Sequence, residues 1–65
     1  MTGREIQNKI KKLPTIDNLT ASEIATLINC SSIQKTSAMC YSLEKFHNYL
    51  TSKIIKGKRY FSKTI

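Results

Sequence analysis

Residues 19–46 read LTASEIATLINCSSIQKTSAMCYSLEKF and hold two helical patterns with a short polar break between them. The first pattern opens with Thr20 and Glu23, which have the spacing of a capping box, in which each side chain bonds a backbone N–H group of the first turn. Apolar residues then recur at helical spacing up to Asn29, a residue type that tolerates the left-handed conformation in which many helices end. The pattern predicts a short helix over 21–29.

The second pattern is longer, and its apolar residues lie on one side of a helix. Ser31 or Ser32 can cap the first turn. The opposite side is polar and holds almost no acid, so we expect a helix over about 33–49 that buries one face and exposes the other. The residues expected on the buried face are Thr36, Met39, Cys40, Leu43, Phe46 and Leu50.

A further helix is predicted upstream, over 3–13. Thr2 and Glu5 form another capping box, and Pro14 cannot continue the helix. Cations near the end of this helix favourably face the negative end of its dipole. The apolar face of the helix consists of Ile6, Ile10 and Leu13, and the cations at its end are Lys9, Lys11 and Lys12.

The last part of the chain changes from a helical pattern to a strand pattern. Two runs rich in Ile, Tyr and Phe flank Gly57, which predicts a β-hairpin over 53–63. A turn centred on Gly57 and Lys58 fits type II′, and a turn centred on Lys56 and Gly57 is the alternative. Two strands alone are marginally stable, so the hairpin must pack on the helices. The expected fold class is therefore α+β, mainly α, with three helices and a C-terminal hairpin in one domain over 1–65.

Charge is the strongest compositional signal. Eleven Lys and Arg residues against four Asp and Glu residues give a net charge of +7, and the region 51–65 holds cations but no acid. Such a balance indicates a polyanionic partner, which is DNA, RNA or an anionic membrane surface. A basic protein without such a partner is the alternative. Apolar runs are too short for a segment that spans a membrane.

Cysteine and histidine usage argues against a metal site. Cys30 and Cys40 are accompanied by a single histidine, His47, and this set does not match the spacing of zinc ligands. The first residues lack the apolar block of a secretory signal, so we expect a cytoplasmic protein with free buried thiols, with one disulfide as the alternative. We expect no metal, no cofactor and no enzymatic activity, because each of the four carboxylates has a capping, turn or surface role.

The capped entry at Thr20, the turn that follows 21–29, the long third helix and the basic hairpin KIIKGKRYFSK (53–63) together resemble the winged helix-turn-helix domain of small bacterial and phage transcriptional regulators. The resemblance covers about three-quarters of the chain. The turn carries Asn29 where this class usually has Gly. The first inward position of the third helix falls on Thr36 rather than Lys35.

The resemblance implies a sequence-specific DNA-binding transcriptional regulator. The recognition helix, at about 33–49, would enter the major groove, and the basic wing, 53–63, would lie on the adjacent backbone or minor groove. Gln34 can pair with adenine and Lys35 with guanine, and Arg59 is the minor-groove candidate. The implied DNA-binding residues are Ser32, Gln34, Lys35, Ser37, Ala38, Tyr41, Lys56, Lys58 and Arg59.

Double-stranded DNA is the expected partner. A domain of this size buries too little surface to select one genomic site alone, so we expect a homodimer or cooperative assembly on DNA. Two alternatives remain within the same scaffold. One is an excisionase-like architectural protein that bends DNA, and the other is a protein-interaction adaptor or anti-regulator, because a fold does not determine a function.

Overall fold

Three helices followed by a two-stranded hairpin make up the fold, which is α+β and mainly α as predicted. The computed structural model describes residues 2–64. In chain order the elements are α1 (Gly3–Lys12), α2 (Ala21–Leu27), α3 (Ile33–Lys45), β1 (Leu50–Ile55) and β2 (Lys58–Lys63). α3 packs on both other helices, and the hairpin packs against α3 and α2. None of the helices described within this range is long and apolar enough to cross a membrane.

Side-chain caps fix where each helix begins. Both predicted capping boxes form, at Thr2 with Glu5 and at Thr20 with Glu23, each with N···O distances of 3.0 and 3.2 Å. The backbone N–H of Thr2 lowers the pKa of the Glu5 carboxyl, because this bond favours the charged form. At α3 the hydroxyl oxygen of Ser32 accepts a first-turn N–H at 3.2 Å. Of the two predicted caps for this helix, Ser32 is therefore the one used.

α1 and α2 end within two residues of the predicted positions, but α3 does not. The prediction of a helix to residue 49 was wrong, because α3 ends at Lys45. Asn48 adopts a φ of 51°, in the left-handed region, and the N–H of Tyr49 bonds the carbonyl of Leu43 at 2.9 Å. This reversal removes Phe46 from the core, and its side chain is 80% exposed where the sequence predicted burial.

The hairpin is longer than predicted and turns at a different pair of residues. Leu50 is buried as predicted, but it is the first residue of β1 and not part of a helix. Ile55 pairs with Lys58, which leaves Lys56 and Gly57 as the central residues of the turn. Their φ values of 52° and 80° are those of a type I′ turn. The preferred prediction, a turn centred on Gly57 and Lys58, was therefore wrong, and its alternative is confirmed.

A pair of backbone hydrogen bonds fastens the hairpin to the connector between α1 and α2. The N–H of Leu19 donates to the carbonyl of Phe61 at 2.9 Å, and the N–H of Phe61 donates back at 2.7 Å. The N–H of Lys63 donates to the carbonyl of Ile16 at 2.9 Å. Phe61 is itself 1% exposed. Every helix and strand contributes side chains to the core, and so do the connecting segments. The core side chains are Ile6, Ile10, Ile16, Ile24, Ile28, Cys40, Leu43, Leu50 and Phe61.

The two cysteines are free thiols in different surroundings, so the disulfide alternative is wrong. Cys40 lies in the core with no exposed surface, and burial raises the pKa of its thiol to about 12. Cys30 lies at the turn between α2 and α3 and is half-buried. Hydrogen bonding with the Thr36 side chain and, second, with the Ser32 backbone lowers the pKa of the Cys30 thiol. Because the thiolate is the nucleophile, the two residues should react at different rates.

We predict that iodoacetamide at pH 8 alkylates Cys30 in the folded protein and reaches Cys40 only when the chain unfolds. Mass spectrometry over time should show one fast modification and one slow modification that accelerates with urea. Cys30→Ser should remove the fast phase alone. Equal rates at both thiols in the folded protein would contradict the placement of Cys40 in a closed core.

Candidate nucleic-acid interface

One face of α3 is exposed to solvent along the helix. The residues on this face are spaced three or four apart, so their side chains lie on one side of the helix. They are all exposed, and they are Gln34, Ala38, Tyr41 and Lys45. Thr36 points the other way with no exposed surface, and Lys35 is exposed. The inward register predicted from the sequence is therefore confirmed at Thr36.

The two serines of the predicted DNA-binding set are less free than the other residues of α3. Ser32 and Ser37 are half-buried. The hydroxyl oxygen of Ser32 holds the N–H of Lys35 as the helix cap, and its carbonyl accepts the hydroxyl of Thr36 at 3.0 Å. Ser32 therefore has a structural role as the helix cap. Its side chain can offer an external ligand only its O–H group, as a hydrogen-bond donor.

The tip of the hairpin exposes two cations beside a strained backbone. Lys56 and Lys58 are both exposed. Lys56 occupies the left-handed region with a φ of 52°, where Asn, Asp and Gly are the preferred residues of a type I′ turn. A side chain with a Cβ atom costs about 1–2 kcal/mol in this region. Backbone strain of this kind is common at functional sites, so Lys56 is a candidate functional residue.

Arg59 turns back toward α3 instead of extending beyond the hairpin tip. Its guanidinium carbon lies 4.9 Å from the centre of the Tyr41 ring. Its Nη1 donates to the hydroxyl of Ser52 at 3.0 Å, and that hydroxyl donates to the carboxylate of Glu44 at 2.7 Å. Arg59 is half-buried by these contacts. This chain of contacts, the Arg59 clasp, joins β2, β1 and α3.

Tyr41 connects the Arg59 clasp to the core. The Tyr41 ring meets the Phe61 ring edge to face, with centroids 5.9 Å apart and planes at 87°. The side chain is 38% exposed, so one part of the ring contacts the core and another part reaches solvent. Tyr41 and Arg59 therefore sit at the seam between the exposed face of α3 and the hairpin, and they set how these two surfaces meet.

The joined surface of α3 and the hairpin is strongly cationic. Residues 33–63 include a single carboxylate, Glu44. The hydroxyl of Ser52 donates a hydrogen bond to one oxygen of this carboxylate and accepts one from Arg59. The cations over the same range are Lys35, Lys45, Lys53, Lys56, Lys58, Arg59 and Lys63. Little on this surface neutralises its positive field, which extends about 8–10 Å at physiological salt.

Sequence reasoning missed three residues of this surface. The helical period predicts Lys45 on the polar face of this helix, although Lys45 was not among the implied DNA-binding residues. Ser52 and Glu44 could not be found in the same way. Their contacts depend on the pairing of Ser52 opposite Phe61, which follows from a hairpin register that the predicted turn did not give.

The polar chemistry available on this surface is hydrogen bonding and positive charge, from amide, hydroxyl and ammonium groups. Within residues 2–64, no three side chains of His, Cys, Asp or Glu come together as a potential metal site. Comparisons of the chain with protein-family models, with curated proteins and with solved structures found no match.

We predict that Arg59 and Tyr41 are energetically coupled. A double-mutant cycle with Arg59→Gln and Tyr41→Leu, measured by urea unfolding, should give a coupling free energy of about 0.5–1 kcal/mol, as expected for a cation over an aromatic ring near the surface. The same cycle with Lys58→Gln in place of Arg59→Gln should give coupling near zero. A zero value for both cycles would show that the contact between Arg59 and Tyr41 does not stabilise the fold.

Proposed function

We propose that this chain is a small DNA-binding regulator of the winged helix-turn-helix type that inserts the exposed face of α3 into the major groove of a duplex. The observation that carries the proposal is the joined cationic surface of α3 and the hairpin. A groove-sized polar helix face and two projecting lysines lie side by side there, with one carboxylate that is already bonded. The resemblance of the sequence to this class of regulators is a second support for the proposal.

Base reading falls to the first two turns of α3. The major groove is about 12 Å wide and admits one helix, and residues near the start of that helix reach the base edges. Gln34 and Lys35 are exposed at this end of α3. An amide pairs with adenine through two bonds, and an ammonium donates to the acceptors of guanine. Ala38 offers a methyl group to thymine from the next turn.

The hairpin supplies backbone contacts, with its residues in two roles. Lys56 and Lys58 project from the turn and bind phosphates beside the groove that α3 occupies. Arg59 keeps the hairpin at a fixed angle to α3 through the Arg59 clasp, and so acts mainly as a positioning residue. This role replaces the minor-groove contact that the sequence suggested, because the guanidinium already lies over Tyr41.

Two copies are proposed on one DNA site. A single small module buries about 600–1,000 Å² of protein surface on DNA, which is at the low end for specific binding. Two copies on half-sites one helical turn apart double this area. The stoichiometry of the complex, measured by analytical ultracentrifugation on a selected duplex, distinguishes two copies from one.

We predict that binding to duplexes selected from a random pool weakens steeply with salt. If about five phosphates are neutralised, log K should fall with log salt with a slope of roughly −4 to −5. Lys56→Gln with Lys58→Gln should make this slope shallower by about 2, because each lost phosphate contact removes about 0.9. Fluorescence anisotropy of a labelled duplex at several salt concentrations measures both slopes.

The matched control removes the same charge elsewhere. Arg4→Gln with Lys12→Gln changes two exposed cations of α1 and should leave the slope within error. Absence of binding at low salt would contradict the proposal. So would chemical-shift mapping with the selected duplex in which Gln34 and Lys35 do not move.

We predict opposite effects on stability and binding at Lys56. Lys56→Asn puts a residue suited to the left-handed conformation in the turn, so unfolding free energy should rise by about 1 kcal/mol. Affinity for DNA should fall, because a phosphate contact is lost. Thermal unfolding and anisotropy measure the two effects on the same sample. A variant that binds DNA as tightly as the parent would show that the cation at this strained position does not serve DNA binding.

A further inference from the structure

A shallow groove separate from α3 and the hairpin lies between the ends of α1 and α2. Its volume is about 440 Å³. The residues that line it are Lys9, Lys12, Leu13, Thr26, Leu27, Ile28 and Asn29. All of them come from α1, α2 or the segments that directly follow these two helices. None of them belongs to α3 or to the hairpin, the elements proposed to contact DNA.

The groove combines apolar side chains with a cationic rim. Leu27 is 56% exposed although it is a large apolar side chain on a helix, and Ile28 beside it is buried. Lys9 and Lys12 are exposed and three residues apart, so their side chains are neighbours on α1. No carboxylate is among the residues that line the groove. An occupant must therefore offer apolar side chains flanked by negative charge.

A second copy of this chain does not meet that requirement. A two-fold symmetric pair uses the same patch on both copies, so Lys9 and Lys12 of one copy would face the same lysines of the other. Repulsion between like charges would add to that between two chains of +7 each. Self-association through this end of α1 is therefore disfavoured, and the pairing surface for two copies on DNA must lie elsewhere.

Charge complementarity favours an acidic protein segment. On a short amphipathic helix, carboxylates one turn apart match the spacing of Lys9 and Lys12, and the apolar residues between them can cover Leu13 and Leu27. The groove is shallow and open to solvent, so it accommodates a few side chains of a partner but does not enclose a small ligand. DNA phosphates can pair with the lysines, but they have no apolar group to cover the exposed Leu27.

We infer that the groove between α1 and α2 is a docking site for an acidic, leucine-bearing segment of a partner protein. The site does not depend on the proposed DNA binding, because the two sets of residues do not overlap. A protein bound to DNA through α3 would present this groove to a second protein. By recruiting such a partner, a small regulator adds the activity of a second protein to its own DNA binding.

The experiment is a selection of random 12-residue peptides displayed on phage against the intact chain at physiological salt. Enriched peptides should combine Asp or Glu with Leu or Phe. A synthetic copy of one enriched peptide should shift the amide signals of Leu13, Leu27 and Asn29. Lys9→Gln with Lys12→Gln should weaken its binding at least tenfold, and so should Leu27→Ser, while circular dichroism confirms that both variants remain folded.

The charge-matched control is Arg4→Gln with Lys53→Gln, which should change peptide affinity by less than twofold. Three outcomes would overturn the inference. They are a selection without acidic apolar peptides, peptides whose shifts map to Lys56 and Lys58, and equal peptide binding by the groove variants and the parent. A loss of DNA affinity in the groove variants without any peptide binding would identify the groove as a phosphate contact. DNA binding measured separately keeps failure here distinct from failure of the proposed function.

Discussion

The reciprocal hydrogen bonds between Leu19 and Phe61 are the constraint on which the rest of the molecule depends. A two-stranded hairpin is marginal alone, and these bonds tie it to the connector between the first two helices at 2.7 and 2.9 Å. They also hold the Phe61 ring in the core, where it supports the edge of Tyr41. Tyr41 in turn lies beneath Arg59. The angle between the exposed face of α3 and the hairpin therefore follows from one buried aromatic residue and its backbone partner.

The sequence predicted the parts of the fold that are determined locally. Helix starts followed from Thr20 with Glu23 and the matching upstream pair, because a capping box involves only four consecutive residues. The end of α3 could not be predicted in the same way, because an apolar residue at position 46 suits a longer helix as well as it suits an exposed cap. The chain reverses at Asn48, which adopts the left-handed conformation, and α3 therefore ends earlier than predicted. At the candidate site, the helical face was predictable from its period, whereas the position of Arg59 depended on strand pairing across the hairpin.

Electrostatics divides the surface into two regions that suit different partners. The face formed by α3 and the hairpin is cationic and polar, which suits a polyanion that is read through hydrogen bonds. The groove between α1 and α2 is cationic and also exposes apolar side chains, which suits an acidic protein segment that carries apolar residues. Lys56 illustrates the cost of the first arrangement, because it occupies a backbone conformation for which its side chain is poorly suited. Proteins accept such local strain where the surrounding structure overcomes it.

The pairing of Leu19 with Phe61 also has a consequence for synthesis on the ribosome. Leu19 belongs to the connector that leads into α2, and its partner is made 42 residues later. At about 5–20 residues per second, the connector and the first two helices wait roughly 2–8 s for the strand that completes their core. During that interval the inward faces of Ile16 and Ile24 have no cover from β2. An unfinished chain therefore leaves uncovered apolar surface that the complete fold buries, and slower synthesis of the hairpin would lengthen that interval.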